Sequence, residues 1–190
     1  MKSREDIENI VQRITCKLLP KVPPEDIRPT YQQNDKAGRS IVTEDGTQQY
    51  IGYSAQDNFI YITVVLGSGS QAYVYDDGIV KTTARRTVTF TFYGSQSSQL
   101  SLCLYSLLRL PQAISAFEHY GLYLQSIDDE ISEMRELINE EWFERHDFTI
   151  IFNEIVTVKV PQDIQQQNVF AEQAPITVIP DFKEVNNVGE

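Results

Sequence analysis

The chain has 190 residues, 41% of them apolar, with ten Tyr and nine Phe; that is enough for one sizeable core and excludes a disordered chain. Its 27 acidic against 16 basic side chains give a net charge of −11, which excludes an ordinary nonspecific nucleic-acid binder, because neutralising phosphates takes clustered Lys and Arg. The longest apolar run, Phe59 to Leu66, is far short of the ~20 residues a membrane-spanning helix needs.

Residues 3 to 19 read as an amphipathic helix. Ser3 can cap it with Asp6 three positions on, Ile7, Ile10, Val11, Ile14 and Leu18 recur at helical spacing, and Pro20, Pro23 and Pro24 stop it. The charged start, MKSREDIENI, has no apolar block before a cleavage site and does not read as a signal peptide. Residues 25 to 58 are polar and weakly patterned, and read as a loop with one short strand; so long a loop points to an interaction surface.

The strongest strand signal follows. Phe59 to Leu66 is β-branched and aromatic, and Gly67-Ser-Gly-Ser70 is expected to end it. Asp76-Asp77-Gly78 turns into a long strand, Ile79 to Tyr93, with Val88, Phe90 and Phe92 on one face and Thr87, Thr89 and Thr91 on the other. A threonine-lined face fits an antiparallel sheet covered on one side only.

Gly94 and Ser95 open a second helix to about Leu110, with an apolar stripe of Leu100, Cys103, Leu104, Leu107 and Leu108 that Leu102 and Leu110 widen. Pro111 starts a short helical piece ending at Gly121, and a short strand, Leu122 to Ser126, comes next. Residues 127 to 141 are acidic and favour helix by composition, with a modest stripe of Ile131, Met134, Leu137 and Ile138. From Trp142 to Val160 the alternation of Phe148, Ile150, Phe152, Val156, Val158 and Val160 marks a strand, interrupted by Glu154 and ended by Pro161. Cys16 and Cys103 fall on the apolar faces of the helices and read as reduced core thiols of a protein made inside a cell.

The order of elements gives an α+β fold, a mostly antiparallel sheet with helices packed on one face. Residues 1–160 form the single domain. Residues 161–190, rich in Gln and Asn with scattered Pro, form an extended C-terminal arm that calls for a surface to lie on, such as that of a neighbouring subunit.

Chemistry is hard to find. Gly67-Ser-Gly-Ser70 lacks the Lys of a phosphate-binding loop, and His119 and His146 stand far apart. One constellation, Glu140 to Asp147, could give a metal-dependent nuclease the ligands Glu144, His146 and Asp147. In a strand, however, 144 and 146 share a face while 147 points to the other. A structural reading is preferred: Glu144 pairing with the neighbours of Arg145 or sitting in solvent, and Arg145 making a bidentate carboxylate contact that bridges subunits. The many aromatics lack the interleaved basic residues of a nucleic-acid platform.

Two stretches carry a resemblance: Arg86-Thr-Val-Thr-Phe-Thr-Phe-Tyr-Gly-Ser95 running into Leu100 to Leu110, and Glu141-Trp-Phe-Glu-Arg-His-Asp-Phe-Thr-Ile-Ile-Phe152. Together with the element order they resemble the neck or tail terminator proteins of tailed phages. Where that family often repeats Arg after Glu-Arg, this chain has His146.

The resemblance implies a non-enzymatic virion subunit, without metal or cofactor, that forms a homo-oligomeric ring, typically a hexamer. Such a ring caps the tail tube (and the sheath where the tail is contractile) and meets the head connector. It places the motif Glu141, Trp142, Phe143, Glu144 and Arg145 at a subunit interface. A closed ring needs two different adhesive patches per subunit, for which the leucine stripe of the second helix and loop 25–58 are candidates. The acidic balance adds an expectation: Asp76 and Asp77, or the acidic run from Asp128 and Asp129 to Glu133, face a channel whose charge lets genomic DNA pass without binding. The alternatives are another minor tail or head-completion protein, the nuclease above, and a monomeric ligand-binding domain with a deep apolar pocket.

Overall fold

The fold is taken from a computed structural model, which describes residues 1–29, 38–42, 48–76, 79–138 and 140–159. The expected C-terminal arm, 161–190, and Asp77 lie outside the described residues.

Helix α1 spans Arg4–Leu18. Its start is fixed by a reciprocal capping box: the Asp6 backbone N–H donates to Ser3 Oγ at 3.0 Å, and the Ser3 N–H donates to the Asp6 carboxylate at 2.9 Å. The strands are β1 (Ile27–Pro29), β2 (Gly38–Val42), β3 (Gln48–Gly52), β4 (Phe59–Asp76), β5 (Ile79–Tyr93), β6 (Leu122–Ile127), β7 (Ser132–Ile138) and β8 (Glu141–Lys159). Helices α2 (Ser97–Leu107) and α3 (Pro111–His119) stand between β5 and β6. The main sheet runs β1-β4-β5-β8-β6, with β7 also pairing β8, and β2 and β3 form a separate hairpin. All pairings are antiparallel except that of β1 with β4.

Alternation decides where the core sits. Ile60, Ile62 and Val64 of β4 lie across from Phe92, Phe90 and Val88 of β5, which in turn face His146, Phe148 and Ile150 of β8. All but His146 join the main core, closed from above by Ile7, Val11 and Ile14 of α1, Leu104 of α2 and Phe117 of α3. Each fully buried side chain of this kind contributes ~1.5–3 kcal/mol. The opposite face carries threonines, with Thr89 and Thr149 hydroxyls 3.2 Å apart. At one end of that face a second cluster forms from Tyr53, Phe59, Tyr93 and Phe143. The α+β architecture with a mostly antiparallel sheet is therefore as expected.

Several local expectations are overturned. Residues 132–138 form strand β7, not helix: its Glu, Met and Leu favour helix alone, but pairing with β8 from Ser132↔Asp147 to Ile138↔Glu141 overrides propensity. Gly67 to Ser70 does not end a strand; β4 continues to Asp76 by absorbing two register shifts against β5. The described residues among 25–58 hold three strands, not one. The second helix is shorter than expected, and Leu102 and Leu110 are 58% and 45% exposed instead of widening a buried stripe. Cys103 is likewise exposed, because it sits on the solvent side of α2, and only Cys16 is partly buried.

Candidate functional site

The motif 141–145 opens β8 and, with β7, forms a hairpin. Glu141 Oε2 accepts from the Ala55 N–H at 2.9 Å, pinning the hairpin to the chain ahead of β4. Phe143 is 1% exposed, edge-on to Phe59 and Tyr93 with centroids at 6.0 and 6.3 Å. The Glu144 side chain is exposed, while its carbonyl accepts from the Gly94 N–H at 3.2 Å. Trp142 is 65% exposed.

Arg145 is held within its own chain. Its Nη2 and Nη1 reach Asp147 Oδ2 at 2.6 Å and Glu136 Oε2 at 2.8 Å, and its guanidinium lies 5.8 Å from the Tyr93 ring centroid. Tyr93 Oη donates to the same Glu136 oxygen at 2.7 Å. The bond to Asp147 raises the Arg145 pKa against the opposing effect of burial. Burial first, then the bond to Glu136, pushes the Tyr93 phenol up. The Tyr93 hydroxyl, aided by Arg145, holds the Glu136 carboxyl below its ordinary value. The network fixes Arg145 as a cation on the open sheet face, with its own carboxylates supplied by β7 and β8.

The nuclease constellation is not assembled. His146 is buried on the helix side, its Nδ1 3.0 Å from Ser97 Oγ. Asp147 points to the other face and is engaged by Arg145. Among the described residues no group of three or more His, Cys, Asp or Glu side chains is placed to hold a metal ion. No single described helix is long and apolar enough to cross a membrane.

Of the acidic residues expected at a channel, Asp76 ends β4. Asp128 and Asp129 are both exposed in the connection between β6 and β7. Asp128 also braces that connection: its carboxylate accepts from the Thr149 N–H at 2.7 Å, and its N–H donates to the Thr149 carbonyl at 2.9 Å. Tyr105 Oη donates to the carbonyls of Asp128 and Asp129 at 2.9 and 3.1 Å.

Sequence reasoning missed Glu136, Tyr93 and Tyr105, whose roles depend on partners far along the chain. It also missed the buried pair of Arg86 and Glu154, where Nη2 and Oε2 stand 2.6 Å apart. The one available signal was Glu154 itself, the polar break in an otherwise apolar face.

A family model described as phage neck terminator protein matches residues 5–181. No curated protein matches the chain.

Proposed function

This chain belongs to the phage neck terminator family, and on that premise we propose that six copies close into a ring at the neck of the virion, ending the tail tube and joining it to the head connector. The observation that carries this reading is the family match across nearly the whole chain, residues 5–181. The role is structural and non-enzymatic, and the chain is made in the host cytoplasm before it joins the particle. A sheet stiffened by helices on one face, and open on the other where threonines stand beside exposed Val65 and Ile155, suits a ring wall, which needs a rigid body and surfaces for neighbours. Residues 161–190 serve as an arm that grips an adjacent subunit.

The ring's channel is acidic, lined by Asp76, Asp77, Asp128 and Asp129, so that DNA phosphates pass without adhering. A neck reconstruction with a basic bore would refute this assignment. The decisive experiment deletes the gene from its phage and images the lysate by negative-stain electron microscopy. DNA-filled heads beside unattached tails, with tails of irregular length, are the expected result. Intact infectious particles would overturn the proposal.

A further inference from the structure

The hairpin β7–β8 presents an apolar pair to solvent. Leu137 and Trp142 are cross-strand partners, 55% and 65% exposed. On the same face the next pairs along are Arg135 with Glu144, then Glu133 with the buried His146. The surroundings are strongly acidic: residues 130–144 hold six Glu and one Arg. Among the described residues, the carboxylates of Glu133 and Glu144 have no ion-pair partner.

A groove of the opposite character lies between α1 and α3, with a volume of about 530 Å³. Ile14, Leu18, Ala116 and Tyr120 floor it, and Arg13 and Lys17 rim it. Both cations are exposed and lie four residues apart on one helix, where like charges repel. Lys2, Arg4, Arg86 and Arg145 each have a carboxylate within the chain. Among the described residues none pairs with Arg13 or Lys17.

The two features cannot meet within one molecule. Phe117 of α3 packs on Phe152 of β8 with ring centroids 4.7 Å apart. Trp142 lies ten residues earlier on the same strand (152 − 142), which at ~3.4 Å per residue is about 34 Å. An acidic, apolar-tipped hairpin at one end and a cationic apolar groove at the other are complementary only between two copies. Such a contact is head-to-tail, the kind that generates rings.

We infer that the Trp142–Leu137 tip of one subunit docks in the α1–α3 groove of the next, with Glu133 and Glu144 facing Arg13 and Lys17. The inference rests on the ring reading above and names its interface. The buried Trp anchors the contact and the rim charges set its register.

The test replaces Trp142 with the photo-crosslinking residue p-benzoylphenylalanine (Trp142→p-benzoylphenylalanine) in phage particles, followed by irradiation and mass spectrometry. The expected product is a dimer of this chain joined to peptides holding residues 13–18 or 112–120. Adducts to another virion protein, to residues 161–190, or none at all in particles that contain the chain would overturn the docking. A second arm combines Arg13→Glu with Lys17→Glu, expected to lower the yield of joined particles about tenfold or more. Adding Glu133→Lys and Glu144→Lys is expected to restore it, and an undiminished yield or a failed rescue would also overturn the docking. Thermal melting of each purified variant confirms that the fold is intact. Particles whose necks lack the chain altogether would refute the ring reading instead, so the two failures are distinguishable.

Discussion

Replacing Glu154 by Ala would strand a cation in the core. Arg86 is 1% exposed, and its Nε and Nη2 donate to Glu154 Oε2 at 2.8 and 2.6 Å. Glu154 Oε1 accepts from the Lys2 backbone N–H at 2.8 Å, with Lys2 Nζ 3.6 Å away. Without the carboxylate, Arg86 keeps only long contacts to the Gly67 and Arg85 carbonyls, both at 3.4 Å. Breaking a buried pair from one side costs about 3–5 kcal/mol, a large share of the ~5–15 kcal/mol that holds a domain together. At about 2–4 °C per kcal/mol for a domain of this size, the melting midpoint of Glu154→Ala should fall by roughly 6–20 °C. Circular dichroism at neutral pH reads this directly. The double variant Arg86→Met with Glu154→Leu should recover most of the loss, because it removes both charges together. A midpoint for Glu154→Ala within ~2 °C of the parent, below the shift expected from even 1 kcal/mol, would refute the reasoning. The pH dependence adds a check of sign. Burial alone would lift the Glu154 carboxyl, but the Lys2 N–H and the Arg86 guanidinium outweigh it and hold its pKa below the ordinary 4.5. A depressed folded pKa contributes stability above the unfolded pKa that is lost as the pH falls through the folded value. Glu154→Gln should therefore flatten the acid limb of the stability profile below about pH 4.5.

Three further outcomes are expected. Gly94 has φ +101°, and a Cβ there would lie 2.1 Å from the Asp57 carbonyl oxygen; Gly94→Ala should lower the urea midpoint through ~1–3 kcal/mol of backbone strain plus the clash, and an unchanged midpoint would contradict the turn geometry. Tyr93→Phe removes the hydrogen bond that does most to depress the Glu136 carboxyl, so its pKa, followed by carboxyl NMR, should rise toward the ordinary value; no movement would refute the network. A thiol reagent should label exposed Cys103 ahead of Cys16, which is partly buried and whose pKa burial raises; equal rates would contradict the placement of α2.

Local signals made much of the fold legible. Ser3 and Asp6 mark the start of α1, Pro111 opens α3, and the alternation in β5 and β8 places both strands and their buried faces, all within a few residues of where they lie. Pairing decided the rest. The acidic segment 132–138 is a strand only because β8 lies beside it, and β4 runs through Gly67 to Ser70 only because β5 offers a ladder to continue on. The motif 141–145 was visible as a unit, but its anchors were not. Ala55 lies 86 residues from Glu141, and Tyr93 and Glu136 are separated by 43. Contacts of that span leave no mark on local periodicity.

The central position of β8 bears on how a defective copy is kept out of the particle. This strand, the last of those described, separates β5 on one side from β6 and β7 on the other. Its pairs with β5 join residues from 52 positions apart (Tyr93 with Arg145, 145 − 93) to 80 positions apart (Ile79 with Lys159, 159 − 79). During synthesis at ~5–20 residues per second, the 66 residues after Tyr93 (159 − 93) take about 3–13 seconds to appear. For most of that interval Phe90 and Phe92 have no β8 to cover their flank, because Trp142 of the hairpin tip comes 49 residues after Tyr93 (142 − 93) and Phe148, the partner of Phe90, comes 55 after it (148 − 93). A product truncated before residue 141 therefore lacks the middle of its sheet. A chain cut short in that way leaves Phe90 and Phe92 bare on one flank, which makes it a substrate for the proteases that clear unfolded protein.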